Sequence, residues 1–567
     1  MEDHNYFNEN SMCNSDNKSF DSISNSFTEN PKCQILKQVE ETFFKIQNEN
    51  IVYASTIDSS SGYIYILGDF SKELEVENQR IESEKSAVYL SKFESSGKNV
   101  FHKKIFNYNG IFEENIVKKI KMERNGKLYL IITIESLIEL DDGDTFAPSS
   151  DDNFLNLIFC IDNEGEIQDI YEFYGTLSDS MNICVSKSNH LYISGYFKNQ
   201  VTYVNNLISR PDVDIDPVLD ILITSNTLDL NFFIGKFDMN LKLIWLKSAD
   251  GKGRINLQSF EIDQCDNLIL TGAFFGDILI DNYLLSNSKH SKFTLNDAWI
   301  GKLSSNGEWI FIQNSKSTKY FKDVYTKNYI NPNDLEIDKY QNIYIVGDFF
   351  GSFYFKKSEN VHISFCSSSF SNLEKEFQCS SNSSHSSHSL YSSHSSEEST
   401  NFNTHSEFLS NLTDSNDSNI NPYFNNHHSD NHPSANYTKE YLFIAKFDKC
   451  GNILWYKNIH IFNDSQLSSQ PYIVTSDDGN SYISFFNQNL EYHQNRILGN
   501  NDFVTNSFNL NIIKYDNCGK LIYSYIYDNI LYNPSKPISL DMFSNKLYFI
   551  GSVIYQNFNI NSFISYL

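Results

Sequence analysis

The chain has 567 residues, 15% of them aromatic and 40% apolar, which is ample material for a large core. It carries 44 basic against 71 acidic residues, a net charge of −27 with no basic stripe, and this excludes nucleic acid and anionic membrane surfaces as direct partners. The nine cysteines never form a CxxC pair, which argues against a zinc ribbon or a disulfide framework and for a reducing compartment.

The N-terminal residues 1–34 are polar and acidic and read as a disordered tail. They lack the charged start and apolar run of a secretory signal, and no later stretch reaches the roughly 18 apolar residues of a membrane helix. The expectation is a soluble, intracellular chain. A short helix is predicted at Ile35 to Phe44. The stretch "KIQNENIVYASTI", Lys45 to Ile57, then reads as a strand, with Tyr53 in a position that later repeats fill with an aromatic residue.

From there the chain repeats itself. One phrase reads "YIYILGDF" from Tyr63, "LYISGYF" from Leu191, "LILTGAF" from Leu268, "IYIVGDF" from Ile343 and "LYFIGSV" from Leu547, with weaker copies from Leu128 and Ser481. These are buried-strand compositions, rich in β-branched and aromatic residues. Gly68, Gly195, Gly272, Gly347 and Gly551 recur at one place, the mark of a bulge or a close backbone approach.

An Asp- and Asn-bearing turn precedes this strand in several units, as in "FEIDQCDN" and "LEIDKYQN". One or two carboxylates per turn are too few for a calcium site. A variable stretch follows the Gly strand. Then comes a second phrase, two strands around a turn: "VYLSKFESSGKNVF" from Val88, "FIGKFDMNLKLIW" from Phe233, "YLFIAKFDKCGNILW" from Tyr441 and "IIKYDNCGKLIY" from Ile512. Lys92, Lys236, Lys302, Lys446 and Lys514 recur in its first strand, and Phe101, Trp245, Phe311, Trp455 and Tyr523 in its second. A ring of positive charge around a channel is one reading of the lysines. The favoured reading packs each stem over the blade edge and pairs its amine with a local carboxylate.

Four strand-like segments per unit, repeated radially, predict an all-β fold, a β-propeller. Residues 366–437 interrupt unit five with Ser-, Asn- and His-rich text that cannot bury enough apolar surface to fold, so a disordered insertion is expected there. Eight of the fourteen histidines lie in or beside it, without the fixed spacing of a ligand set. The last unit stops after its third strand, "SFISYL". The Lys45–Ile57 strand is expected to complete that blade as its fourth strand, giving seven blades of about 66 residues over 35–567 once the insertion is set aside.

The text "NIYIVGDFFG" and "YLFIAKFDKCGNILW", Asn342 to Trp455 around the insertion, resembles the seven-bladed β-propeller repeat family often called SBBP repeats. The resemblance covers nearly all of 45–567. It implies a propeller fold and an interaction role, with no shared catalytic residues to carry over. No nucleophile elbow, P-loop, HExxH or dinucleotide fingerprint occurs in the sequence. The expectation is therefore a monomeric, non-enzymatic scaffold that binds a protein or glycan and takes no cofactor and no metal. The alternative is an enzyme, a lyase or hydrolase, with its pocket at the propeller channel.

Overall fold

The structure is a computed structural model. It describes residues between Asn50 and Tyr566, in segments that leave out 1–49, 367–440, 489–507 and shorter connections. The tail, the predicted helix at 35–44 and nearly all of the insertion lie outside the described residues. Among those described there is no helix.

Strands come in groups of four, each antiparallel to the next. Blade 1 is Asn50–Ile57, Ile64–Val76, Gln79–Phe93 and Asn99–Tyr108. Blade 2 is Val117–Met122, Leu128–Ile134, Leu155–Ile161 and Ile167–Thr176. Blade 3 is Asn182–Val185, Leu191–Asn206, Leu228–Phe237 and Leu243–Ser248. Blade 4 is Ser259–Ile262, Leu268–Ile280, Thr294–Leu303 and Trp309–Ser317. Blade 5 is Asn328–Ile337, Ile343–Phe350, Tyr441–Phe447 and Ile453–His460. Blade 6 is Tyr472–Thr475, Ser481–Gln488, Phe508–Tyr515 and Leu521–Ile530. Blade 7 has three described strands, Ser539–Phe543, Lys546–Ile554 and Ile560–Tyr566.

The first strands of the blades lie against one another in chain order, and that of blade 7 returns to that of blade 1. This is a closed seven-bladed β-propeller. Its second and third strands are buried on both faces, as in Leu155–Ile161 and Tyr441–Phe447, because each sheet is covered by a neighbour. Apolar layers accordingly fill the spaces between blades: Leu67, Leu90, Leu130 and Phe159 between blades 1 and 2, and Phe232, Leu270 and Trp299 between blades 3 and 4.

An N-terminal strand does close the ring, but not in the place expected. Asn50–Ile57 pairs with Ile64–Phe70 as the first strand of blade 1 and lies against the strands of blade 7. It is not the fourth strand of blade 7. A short turn separates it from its partner, so this hairpin closes at little entropic cost. First and fourth strands share the same β-branched and aromatic composition, which is why sequence similarity placed it in the other role. Tyr53 falls in the bulge between Val52 and Ala54. Its side chain lies outside the described ones.

In blades 2, 3 and 5 the stretch after the second strand forms an arm that reaches back to the preceding blade. Thr202–Asn206 of blade 3 pairs with Ile170–Tyr174, the fourth strand of blade 2. Phe353–Phe355 of blade 5 pairs with Ser315–Ser317 of blade 4, and Ile138–Glu139 of blade 2 with Asn107–Tyr108 of blade 1. Each arm covers part of an outer edge that would otherwise be open.

One buried group makes blade 1 sensitive to acid. His102 is buried, its Nδ1 bonded to Ser91 Oγ and its ring 5.2 Å from that of Tyr89. Burial pushes its pKa down to about 4. The folded value lies below the ordinary one, so the unfolded chain takes up this proton first. The stabilisation is complete above about pH 6.5 and is lost as pH falls toward 4, by about 2–3 kcal/mol. Urea melts between pH 7 and 4.5 should show His102→Phe losing that much less than the parent chain. Parallel curves would refute it.

Candidate functional site

The recurring lysine and aromatic are brought together, and they join blades. In the five units that carry it, the Lys of the third strand faces a residue of the second strand and the aromatic of the fourth, as in Tyr192, Lys236 and Trp245, or Tyr344, Lys446 and Trp455. The ammonium lies over the tyrosine ring, at 5.6 Å for Lys236 and 4.8 Å for Lys446. It then donates to a backbone carbonyl in the next blade's third-to-fourth-strand turn: Lys92 to Asn163, Lys236 to Ser305, Lys302 to Lys449 and Lys446 to Asn517.

The tryptophans reinforce this contact. Trp245 Nε1 donates to the same Ser305 oxygen at 3.1 Å, and Trp455 Nε1 to that of Asn517 at 3.0 Å. Lys302 also pairs with Asp263 at 2.9 Å, and Lys446 with Asp338 at 3.6 Å, both carboxylates belonging to the first-to-second-strand turn of the same blade. Burial lowers the pKa of Lys92 and Lys236, against the pull of Glu164 and Asp266 respectively. The amines therefore point into the seams between blades, packed as the favoured reading expected, with the next blade's carbonyl as the partner that recurs.

The turn glycine completes the latch. Gly307 has φ +83° and a Cβ there would meet Trp245 at 3.1 Å; at Gly519, φ +79°, it would meet Trp455 at 2.7 Å. Only glycine suits both the left-handed backbone and the close ring. An Asp opens four of these turns, in blades 2, 3, 5 and 6, and holds the turn in shape: Asp448 Oδ1 accepts from Cys450 N and Asn452 N, while in blade 4 Ser304 Oγ accepts from Glu308 N. Phe101 and Phe311 pack on Gly165 and Gly451 in the same manner, and Tyr523 faces Lys514 across the strands of blade 6. In the second strands, Gly272 allows a close approach of the chain just before the first strand of blade 4, and Gly347 of the first strand of blade 5. A Cβ would stand 2.2 Å from Asn256 O and 2.1 Å from Asn331 O. Gly195 lies under the Phe233 ring, and Gly68 opposite the Val52/Ala54 bulge. Gly551 pairs with Phe563 in blade 7.

A second group, unforeseen from sequence, lines the inner strands. Asp334 of blade 5 ties three consecutive first strands together. It accepts from Ser259 Oγ of blade 4 at 3.1 Å, from Ile473 N of blade 6 at 3.0 Å and from Leu335 N at 2.9 Å. Burial raises its pKa to about 6 despite these donors, with Glu261 adding to the rise. Beside it stands Tyr472, whose phenol burial and Asp334 push up, and Cys184 of blade 3 lies 3.9 Å from Glu261 Oε2 of blade 4. These residues sit on the first strands of blades 3 to 6, which differ in sequence, so no repeated phrase pointed to them.

Among the described residues no three His, Cys, Asp or Glu are placed to hold a metal ion. None of the five described cysteines is in a disulfide.

No protein-family model and no curated protein matches the chain. Among solved structures it is similar to a catalytically inactive virginiamycin B lyase from Staphylococcus aureus, crystallised with quinupristin. The likeness has 11% identity and a TM-score of 0.21, over 57% of this chain and 88% of that one. The propeller assignment rests on the strand pairing and ring closure described above.

Proposed function

We propose that this chain is a non-enzymatic propeller of the SBBP-repeat type, a monomeric intracellular scaffold that holds a protein (or glycan) partner on one face. The observation that carries this reading is how the charged groups are used. Four of the five recurring lysines are engaged between blades, and the Asp334 carboxylate is held by three donors. A general acid or base must reach a proton of the reacting molecule, and these polar atoms are spent on contacts between strands and blades.

The raised pKa of Asp334, with Ser259, Tyr472 and Glu261 about it, is the observation that favours a channel enzyme as the second reading. The two separate in one experiment. Purified full-length chain, parent and Asp334→Asn, is used as bait, and each captured partner is re-bound as a purified protein or glycan. The scaffold reading expects the same stoichiometric partner on both. A captured molecule that the parent chain converts and Asp334→Asn does not would overturn it.

A further inference from the structure

Five of the six fully described blades carry the latch lysine, and blade 2 does not. Strand register puts Cys160 in its place, opposite Tyr129 of the second strand and Asp169 of the fourth. Tyr65, Tyr192, Tyr344 and Tyr482 stand where Tyr129 does, and each ring has the ammonium of its own blade over it, at 5.2, 5.6, 4.8 and 4.7 Å. Blade 2 thus has the tyrosine without the ammonium. The face concerned is the one turned to blade 3, because Tyr129 and Cys160 pack with Phe237 and Leu241 of that blade.

The missing ring is replaced, but the missing charge is not. Leu241, φ +55° and buried, takes the turn position that Gly165, Gly307, Gly451 and Gly519 hold elsewhere. A Cβ at those glycines would meet the latch ring, so Leu241 suits a seam whose fourth strand offers Asp169 instead. Asp169 Oδ1 is buried with no hydrogen-bond partner. Burial raises the pKa of this carboxyl, against the pull of Lys127. The acceptor across the seam is present too. Ser305, Lys449 and Asn517 each offer the preceding blade's lysine a carbonyl at the second position of the turn. In blade 3 that position is Met239, whose carbonyl accepts no hydrogen bond among the described residues. Asp238, which opens the turn, faces the same seam: burial first, and then Asp169, Cys160 and Asp238, push the Tyr171 phenol up. A buried carboxylate oxygen without a donor is costly, and a cationic donor is what would satisfy it.

We infer that the seam between blades 2 and 3 is a binding site for a primary ammonium group on a short alkyl chain. The Tyr129 ring, Met239 O and Asp169 Oδ1 receive it as the other seams receive their own lysine. A lysine side chain exceeds that of Cys160 by an ethylammonium group, which is therefore the smallest ligand of the class. Asp169 and Met239 are only half-buried, so the site opens at the turns. The ammonium can belong to a free amine or to a lysine side chain of another protein. The site does not depend on the scaffold reading, since a small amine needs no propeller face.

The test reads melting temperatures of the full chain, of Asp169→Asn and of Cys160→Lys. Each is measured in ethylammonium chloride, in Nα-acetyl-lysine amide hydrochloride and in sodium chloride at equal concentration. An amine is expected to raise the melting temperature of the parent by about 1–3 °C over sodium chloride. Asp169→Asn should lose that rise. Cys160→Lys, which carries its own ammonium into the seam, should melt higher than the parent and respond to neither amine. A rise with the lysine derivative alone supports the site and assigns it to a lysine side chain; a rise with ethylammonium as well supports it and admits free amines. No rise in the parent over sodium chloride overturns the inference. So does a rise of equal size in Asp169→Asn or in Cys160→Lys, since the amine would then act elsewhere on the chain.

Discussion

Lys446→Met is expected to lower the unfolding free energy by about 3–5 kcal/mol. Lys446 and Asp338 are both 2% exposed. Removing the ammonium leaves Asp338 charged in a buried seam. Its remaining donors are the amides of Tyr340 and Asn342, the Asn342 side chain and the Tyr344 hydroxyl. The Asn517 side-chain oxygen also loses the ammonium. Most of the cost is an uncompensated charge rather than the worth of the pair, so adding Asp338→Asn should restore more than half of it. Lys92→Met is the contrast. Its amine donates to the Asn163 carbonyl, with Tyr63 and Tyr65 rings about it and no carboxylate ion pair among the described residues. The loss there should be about 1–2 kcal/mol. Chemical denaturation of five chains, the parent, Lys92→Met, Lys446→Met, Asp338→Asn and the double variant, decides the matter: if Asp338→Asn and Lys446→Met simply add, the two residues are not coupled through the seam.

The contrast explains how far the sequence could be read. Spacing and composition were sufficient for the propeller, because every blade must write four short buried strands and the turns between them. The recurring Gly, Lys and aromatic positions were visible for the same reason. Their partners were not. Lys236 bonds a carbonyl 69 residues away and Lys446 one 71 residues away. A backbone carbonyl has no side-chain identity to search for. The Lys302–Asp263 pair was legible as a lysine near a local carboxylate, yet the Lys449 oxygen beyond it was not. Asp334 escaped notice because its donors, Ser259 Oγ and Ile473 N, come from neighbouring blades. The bulges of the fourth strands were hidden too. Val100 and Ile244 read as ordinary strand residues until strand register shows each to be the one left over.

Removing residues 1–58 is expected to convert the protein to insoluble or oligomeric material, whereas removing 1–34 should leave its melting temperature nearly unchanged. The longer deletion takes away Asn50–Ile57, and with it every pairing that this strand makes with Ile64–Phe70. It also strips the contacts to the first strands of blades 2 and 7, so the ring loses a member at the one place where its two ends meet. Net stability in proteins is only about 5–15 kcal/mol, and the loss of a whole inner strand is on that scale. The exposed edge of Ile64–Val76 would then pair with whatever strand it meets. Size-exclusion chromatography and calorimetry of the two deletions, with a third that ends at residue 49, separate the contributions. If deletion to 49 leaves a monomer with the parent melting temperature, closure is the work of Asn50–Ile57 itself. If deletion to 49 already opens the ring, closure does not rest on Asn50–Ile57 alone. A monomeric 1–58 deletion with an unchanged melting temperature would mean that the first strand of blade 1 is dispensable, and the seven-blade closure would fall with it.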